Sequence, residues 1–263
     1  MTQVTHQFHR HPLMPFAELR VSHLSPHCFR LHAHDEYSIG IIDHGRALYN
    51  HASGPDTVDT GSVILIEPGR WHACNPDNVA QWAYRMLFVQ ADWVHAQLQT
   101  AQLRFHARAL HDPQARALVD ALCQPITRDA DVAPRTQLLL QALRQFATPQ
   151  ASTSPVDARD TAVRQALAQL HAEPHAATRV QAMAAAAGMT DSRFIRHFKA
   201  ATGVTPGAYR LNLRINGARR LLAQGKSLAD AAHHMGFADQ AHMQRAFKAY
   251  HSLTPGSYAA ARM

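Results

Sequence analysis

Four side chains that can bind a metal ion or a polar ligand lie close together in the first third of the chain. His32, His34 and Glu36 occupy alternate positions, and His72 follows later. On a β-strand, residues 32 and 34 point to the same face, as joint coordination of a ligand requires. The group can hold a metal ion, contact an organic ligand, or consist of structural histidines.

A second set of candidate residues lies in a segment that occurs twice near the end of the chain. The features of the first copy, in order, are Gly188, Phe198-Lys199, Pro206 and Tyr209, and those of the second are Gly236, Phe247-Lys248, Pro255 and Tyr258. The phenylalanines, prolines and tyrosines are 49 residues apart and the glycines 48. Two copies are too few for a solenoid, so the repeat predicts a pair of small helical modules.

Each copy predicts a helix, a tight turn at the glycine and a second helix. The glycine ends the first helix in a left-handed conformation, and Thr190 or Asp239 then offers a side-chain oxygen as N-cap of the next. The second helix has an apolar stripe at i, i+4 and i+7. The stripe residues are Phe194, Phe198 and Ala201 in the first copy and Met243, Phe247 and Tyr250 in the second. We assign Phe194, Phe198, Met243 and Phe247 to the core and to no contact with DNA.

The opposite face of each second helix is short and mainly polar. It carries Ser192, Ile195, Arg196 and Lys199 in the first copy and Gln240, Ala241, Gln244, Arg245 and Lys248 in the second. A helix of this kind after a glycine turn is what a helix-turn-helix presents to the major groove of DNA. These nine residues are therefore the candidate DNA-binding residues.

The charge of the chain is divided unevenly. From residue 155 onward, 14 Lys and Arg face 6 Asp and Glu, whereas residues 1–154 hold 12 Arg and 13 acids. The last part thus carries a net charge of +8 and the first part −1. This partition is typical of a DNA-binding domain that neutralises phosphates, although a basic surface without a partner is an alternative.

The repeated segment resembles the tandem helix-turn-helix DNA-binding domain of the AraC/XylS family of transcription regulators. The resemblance rests on both Phe-Lys pairs, both Thr-Pro-Gly-x-Tyr endings, the Gly236-Phe237 pair and the helix between the copies. It covers roughly the last 90 residues, and a set of motifs is far more specific than one. The sequence departs from the pattern in three places: Ser252 stands where the first copy has Gly203, His242-Met243 replaces a hydroxyl-aromatic pair, and Ile195 occupies a position that is often polar.

Residues from about 16 to 89 predict β structure. The runs 37–43 and 46–50 flank a turn at His44-Gly45, and 62–67 and 82–89 are further strands. Short strands separated by Gly and Pro indicate a small sandwich or barrel. This region resembles the cupin barrel that forms the effector-binding half of many AraC-type regulators.

The resemblance to a cupin implies that His32, His34, Glu36, His72 and Trp71 contact a small-molecule effector. Metal-binding cupins leave three or four residues between the second histidine and the glutamate, whereas Glu36 follows His34 by two. Effector domains of the family commonly keep the histidines without a metal, so we expect no stoichiometric metal and no cofactor. A metal-binding cupin enzyme is the alternative from another class. Trp82, Tyr84 and Arg85 are further candidates for the pocket lining.

Residues 92–146 predict amphipathic helices, with apolar residues spaced by three and four positions. The spacing is carried by Val94, Leu98 and Ala101, then Ala115, Leu118, Val119 and Leu122, then Leu138, Leu139, Ala142, Leu143 and Phe146. The helices are expected to pack on the barrel, and the resemblance implies that they form a homodimer interface. Residues 148–157 are rich in Ser, Thr and Pro and predict a linker.

The whole chain is therefore expected to be an α+β two-domain protein. It comprises a cupin-like β-barrel (1–90), a helical dimerisation segment (91–147), the linker (148–157) and an all-α domain with two helix-turn-helix motifs (158–263). No signal pattern or apolar span occurs, and Cys28, Cys74 and Cys123 suit a reducing cytoplasm. The predicted function is a ligand-responsive, sequence-specific transcription regulator, not an enzyme, that binds double-stranded DNA and associates with the nucleoid. An effector-independent architectural DNA-binding protein is the other alternative.

Overall fold

The structure is a computed structural model that describes residues 5–23, 30–51, 54–150, 160–176 and 180–260. It contains two compact units, one before residue 153 and one formed by Thr153–Ala259. The first is rich in β-strands and the second is helical. The expected α+β fold class is confirmed. Cys28 and residues 151–157 of the expected linker lie outside the described residues.

Eleven strands are found in the described part of the first unit. They are β1 (Thr5–His9), β2 (Ala17–His23), β3 (Glu36–His44), β4 (Arg46–His51), β5 (Gly54–Asp59), β6 (Val63–Ile66), β7 (His72–Pro76), β8 (Ala83–Gln90), β9 (Gln102–Phe105), β10 (Ala109–Leu110) and β11 (Ala147–Gln150). The larger sheet has the order β1-β2-β8-β3-β6-β10 and a smaller one β5-β4-β7. All pairings in these sheets are antiparallel.

The larger sheet is covered on both faces. One face of β8 carries Leu87 and Val89, which pack with the three helices α1 (Ala91–Leu98), α2 (Pro113–Leu122) and α3 (Val132–Phe146). The other face packs with residues of the smaller sheet. Burial on both sides explains why β6 is apolar at every position and does not alternate, since each side chain enters one of two cores.

Strands β3 and β4 follow one another across the predicted turn but do not pair with each other. They lie on either side of Gly45 (φ +93°), but β3 pairs with β6 and β8, whereas β4 pairs with β5 and β7. The chain thus crosses from one sheet to the other at this point. Turn residues between two apolar runs predict a change of direction, and the partner of each strand is then decided by how the two sheets share a core.

Two expectations for the segment after the barrel are wrong. The linker was expected from residue 148, but Thr148–Gln150 belongs to β11, which pairs with β9. Ala101 lies beyond the end of α1 and is exposed. Pairing with a distant strand satisfies the backbone donors and acceptors of β11 in spite of its Pro149, as is common in short edge strands. The three predicted helices themselves are present and bury their apolar stripes.

The second unit is entirely helical in its described part. Its helices are α4 (Thr161–Ala172), α5 (Val180–Ala186), α6 (Asp191–Thr202), α7 (Pro206–Ala223), α8 (Leu228–His234), α9 (Gln240–His251) and α10 (Pro255–Ala260). Helices α5–α6 and α8–α9 are the two predicted helix-turn-helix units, and α7 connects them. Among the described helices, none has the length and apolar character needed to cross a bilayer.

Capping residues set the ends of these helices. Gly188 (φ +63°) and Gly236 (φ +68°) adopt the left-handed conformation expected after α5 and α8. Asp239 accepts a hydrogen bond from the His242 amide, as predicted. Thr190 is the N-cap of α6, but its side chain accepts no capping hydrogen bond, so that part of the prediction is wrong. The spacing identifies the cap position and does not determine the rotamer of its side chain.

The loop around His175 is fixed by the connecting helix. Arg214 of α7 donates from Nε to the Pro174 carbonyl at 2.7 Å and from Nη2 to the His175 carbonyl at 2.9 Å. Burial lowers the pKa of Arg214, with a further contribution from the neighbouring charge of Arg210. These contacts give Arg214 a structural role within the helical unit.

Candidate functional site

The three candidate histidines come together inside the β unit. His32 and His72 form an antiparallel bridge, with His32 N–H donating to the His72 carbonyl at 3.0 Å and the reverse bond at 2.8 Å. His34 is anchored by the Gly69 amide, which donates to its carbonyl at 2.8 Å. The ring centroids of the three are 4.4–5.0 Å apart, and all three side chains are buried. One ring nitrogen of each lies within 4.8 Å of the others.

The backbone fixes the tautomer of two of these rings. His32 Nδ1 is 2.7 Å from the Arg30 carbonyl, and His72 Nδ1 is 2.8 Å from the Arg70 carbonyl. A carbonyl oxygen only accepts, so Nδ1 carries a proton in both rings. Burial lowers the pKa of His72 to about 4, opposed by its bond to the Arg70 carbonyl, so this ring is neutral at neutral pH.

The histidines line a small cavity between the two sheets. Its volume is about 50 Å³, and its other walls are Arg20, Ile42, Ile64, Ile66, Cys74, Trp82, Tyr84, Met86 and Phe88. This space is enough for a few water molecules, since one water needs roughly 10–15 Å³, and is far below the roughly 300–1,000 Å³ of pockets for drug-sized ligands. An organic effector of ordinary size requires the cavity to widen.

The sequence had not identified Arg20 and Cys74 as lining residues. Arg20 is buried on β2, donates from Nε to Ser22 Oγ at 2.9 Å and lies 5.5 Å from the centre of the Tyr84 ring. Burial raises the pKa of Cys74 to about 12, so its thiol is protonated at neutral pH. In the sequence, Glu18, Arg20 and Ser22 alternate with apolar residues, but this alternation normally indicates that the polar side chains of the strand face solvent.

Strand parity separates the remaining candidates. Trp82 and Tyr84 line the cavity, whereas Arg85 points to the other face, where its Nη2 donates to Asp43 at 2.6 Å and to Asp120 at 2.5 Å. Trp71 lines a separate depression beside Arg70 and Phe105. Among the described residues, the cluster of potential metal ligands consists of the three histidines and does not include Glu36.

One assumption behind the histidine prediction is wrong in detail. His32 and His34 were placed on a strand, but His32 forms only an isolated bridge and His34 lies in an irregular segment before β3. Both side chains nevertheless face the same cavity. The bridge to His72 and the hydrogen bond to Gly69 orient them in place of a regular ladder.

The candidate DNA-binding residues lie on the outer faces of α6 and α9. Seven of the nine are exposed polar or charged side chains, one is the exposed Ala241, and Ile195 is half-buried. The opposite faces hold Phe194 and Phe198, or Met243 and Phe247, each 0% exposed. Arg193 is also exposed on α6 and was absent from the predicted set. Both helices therefore bury the face that was predicted to be apolar core and expose the face that carries the candidate DNA-binding residues.

Comparison with known proteins identifies both units. Residues 18–144 match the family model of an AraC-like ligand binding domain, and residues 183–261 match that of a helix-turn-helix domain. The HTH-type transcriptional regulator YbfI of Bacillus subtilis is 26% identical over 225 residues, which cover 82% of this chain and 81% of YbfI. The activator RhaS of Escherichia coli O81 is 27% identical over 242 residues, 86% of each chain.

Solved structures of ToxT from Vibrio cholerae share the fold of the whole chain. One aligns with a TM-score of 0.55 at 11% identity, covering 93% of this chain and 97% of ToxT. Another, with an unsaturated fatty acid bound, aligns with a TM-score of 0.57 at 14% identity, covering 98% and 97%. The relatives are named as transcription regulators and not as enzymes. The chain belongs to the AraC family of transcription regulators, with an N-terminal ligand-binding domain and a C-terminal helix-turn-helix domain that binds DNA.

Proposed function

We propose that this regulator reads an asymmetric DNA site with α6 and α9, one in each of two successive major grooves. The reading residues are Ser192, Ile195, Arg196 and Lys199 on α6 and Gln240, Ala241, Gln244, Arg245 and Lys248 on α9. Arginine and glutamine hydrogen-bond to base edges, and the lysines contact phosphates. Because the two faces differ in sequence, a palindromic site is not expected.

The observation that carries this proposal is the opposition of the two faces of each helix. Phe198 and Phe247 are fully buried, and Arg196, Gln244 and Arg245 are exposed. The net charge of +8 after residue 154 supports binding to phosphates. Helix α7, with 18 residues, is about 27 Å long at 1.5 Å per residue, a length suited to holding two readout helices about one duplex turn apart.

Selection of a binding site from random DNA, followed by affinity measurements with the full chain, tests the proposal. Arg196→Ala and Arg245→Ala should each relax base preference in a different half of the site, at a cost of about 1–3 kcal/mol for each bidentate contact. Arg164→Ala is the matched control, because Arg164 is an exposed arginine of α4 outside both faces. Equal loss of affinity in the control, or no change of base preference in either variant, would contradict the assignment.

We further propose that the effector binds in the histidine-lined cavity, where the side chains of His32, His34 and His72 supply polar contacts. Glu36 and Trp71 remain predicted contacts that require the cavity to widen. A thermal-shift screen of the full chain against metabolites tests this, since a ligand at about 100 times its Kd stabilises the folded state by about 2.7 kcal/mol. A hit whose stabilisation survives His34→Gln would place the effector elsewhere.

A homodimer through α1, α2 and α3, acting on nucleoid DNA in the cytoplasm, completes the proposal. The exposed large apolar side chains of the described residues are Leu13, Leu31 and Leu48, and they lie outside these helices. Because none of these three side chains would be covered, a dimer formed there is expected to depend on polar contacts and to be salt-sensitive. Sedimentation equilibrium at low and high salt measures the mass, and a monomer at all concentrations would contradict the dimer.

A further inference from the structure

We propose that a second cavity of the β unit binds a short-chain carboxylate such as propionate. This cavity lies on the helix-facing side of the larger sheet, whereas the histidine-lined cavity lies on the side that faces the smaller sheet. The two cavities share no lining residue. The inference therefore concerns a ligand other than the effector, and it does not depend on the proposed recognition of DNA.

One wall of the second cavity is a row of three side chains paired in register across the sheet. His9 of β1 pairs with Leu19 of β2, and Leu19 pairs with Leu87 of β8. Directly paired residues of antiparallel strands point to the same face, and Leu19 and Leu87 belong to the core beneath the helices. His9 therefore adds a polar ring to an apolar row, at the edge of the sheet.

The opposite wall comes from the end of α2 and the first turn of α3. Arg135 of α3 donates from Nη1 to the Leu122 carbonyl at 2.8 Å and to the Gln124 carbonyl at 2.5 Å. Both protons of Nη1 are thus used. The parallel N–H groups of Nε and Nη2 remain for a ligand, and this fork matches the two oxygens of a carboxylate.

The positive charge of Arg135 lacks a close counterion within the described residues. Arg10, which also lines the cavity, pairs with Glu18, and His11 lies 3.2 Å from Asp129. No carboxylate of the described chain forms an ion pair with Arg135. Burial lowers the pKa of Arg135, which stays protonated throughout the physiological range. A bound anion would compensate this partly buried charge.

His9 supplies a second hydrogen-bond donor. Its Nε2 atom is buried and has no hydrogen-bond partner in the part of the chain that the structure describes. Burial lowers the pKa of His9, so the ring is neutral at neutral pH, and either ring nitrogen can carry the proton. Buried polar atoms are normally paired, and a carboxylate oxygen that accepts from Nε2–H would satisfy this one.

The size and the remaining lining of the cavity select the rest of the ligand. Its volume is about 30 Å³, which is room for two or three water-sized groups at roughly 10–15 Å³ each. Most of the other walls are apolar and consist of Met14, Ala17, Leu19, Leu87, Leu122 and Ile126. A carboxylate with a tail of one or two carbons meets both conditions, and a longer acid does not fit.

Calorimetric titration of the full chain with sodium propionate, in a buffer without other carboxylates or phosphate, tests the proposal. We expect one saturable site, and the five non-hydrogen atoms of propionate limit its Kd to roughly micromolar at best. Propionamide has the same size without the charge and should bind at least about tenfold more weakly, because charge-assisted hydrogen bonds are the stronger ones. Hexanoate should also bind more weakly, since its tail exceeds the cavity.

Four variants locate the site. Arg135→Lys keeps the charge and removes the fork, and His9→Phe keeps a ring and removes the donor, so each should weaken propionate binding at least about tenfold. Arg144→Gln is the matched control, because Arg144 is an exposed arginine of the same helix outside the cavity lining. His34→Gln should leave binding unchanged, since His34 lines the other cavity.

Four results would overturn the proposal: no saturable binding of propionate, equal binding of propionamide, unchanged binding in both Arg135→Lys and His9→Phe, or loss of binding in His34→Gln. If a variant fails to fold, isotope-filtered NMR of the wild-type chain decides. Contacts between propionate protons and the methyl groups of Leu87 are expected. Contacts only with methyl groups of the histidine-lined cavity would overturn the site.

Discussion

Replacement of the two turn glycines by alanine should have unequal effects, although the repeat makes them equivalent in sequence. Gly188 and Gly236 have nearly the same φ, +63° and +68°. An alanine in this conformation loses about 1–2 kcal/mol, of which up to about 1 kcal/mol is offset by the lower entropy of the unfolded chain. Gly188→Ala should therefore destabilise the helical unit by about 1 kcal/mol.

Gly236→Ala carries an additional steric cost. A Cβ at Gly236 would lie 2.4 Å from the His175 carbonyl oxygen and 3.1 Å from the His175 carbonyl carbon, whereas a Cβ at Gly188 meets no atom within 4 Å. The carbonyl is backbone and also accepts from Arg214 at 2.9 Å, so it cannot move independently. Overpacking of this kind costs about 1–3 kcal/mol beyond the conformational term.

Thermal melting followed by circular dichroism at 222 nm measures the difference. A shift of about 4–8 °C per kcal/mol applies to a domain of this size, so Gly236→Ala should melt at least several degrees below Gly188→Ala. The three tryptophans, Trp71, Trp82 and Trp93, all belong to the β unit, so their fluorescence transition is an internal control that should not change. Equal losses in the two variants would refute the packing of the Gly236 turn on the His175 loop.

Four further substitutions test other contacts. Phe247→Ala should cost about 3–5 kcal/mol of stability and abolish DNA binding through unfolding. Gln244→Ala should change stability by less than about 0.5 kcal/mol and reduce base discrimination. If chemical denaturation shows that the Gln244→Ala chain is unfolded, α9 is rotated differently about its axis. Ser252 holds a left-handed φ of +61° at the end of α9, so Ser252→Gly should raise stability by up to about 1 kcal/mol, and a lowered melting temperature would contradict this. Arg85→Ala should destabilise the β unit by roughly 1.5–3 kcal/mol, because its hydrogen bonds to Asp43 and Asp120 are lost. Unfolding followed by tryptophan fluorescence measures this loss, and an unchanged unfolding midpoint would contradict it.

The helical unit followed closely from the sequence because its signals are local. Helix periodicity, the turn glycines and the proline at the start of α7 lie within a few residues of the structure that they determine. The departure at Ser252 also has a local explanation, since it takes the left-handed position that Gly203 (φ +86°) takes in the first copy. The missing side-chain cap at Thr190 shows that even here a rotamer is not fixed by residue type.

The β unit was less predictable because its pairings join distant segments. The apolar runs located β3, β6 and β8 but gave no information on which strand pairs with which, so the separation of β3 and β4 into different sheets was not predicted and β11 was taken as linker. The cavity combines residues of several strands, so neither the position of Arg20 in its wall nor the exclusion of Glu36 could be read from spacing. The meeting of His32 and His72 likewise depends on a bridge between residues 40 positions apart.

The most direct test of DNA recognition by both helix-turn-helix units is a hydroxyl-radical footprint of the full chain on its selected site. Readout by α6 and α9 in successive major grooves predicts two protected segments about 10 bp apart on one face of the duplex, of unlike sequence. Affinity should fall steeply as salt rises, because the basic unit displaces counterions from the phosphates. Protection of one groove alone, or no preference for the selected site over competitor DNA, would contradict the tandem readout and favour an architectural DNA-binding protein.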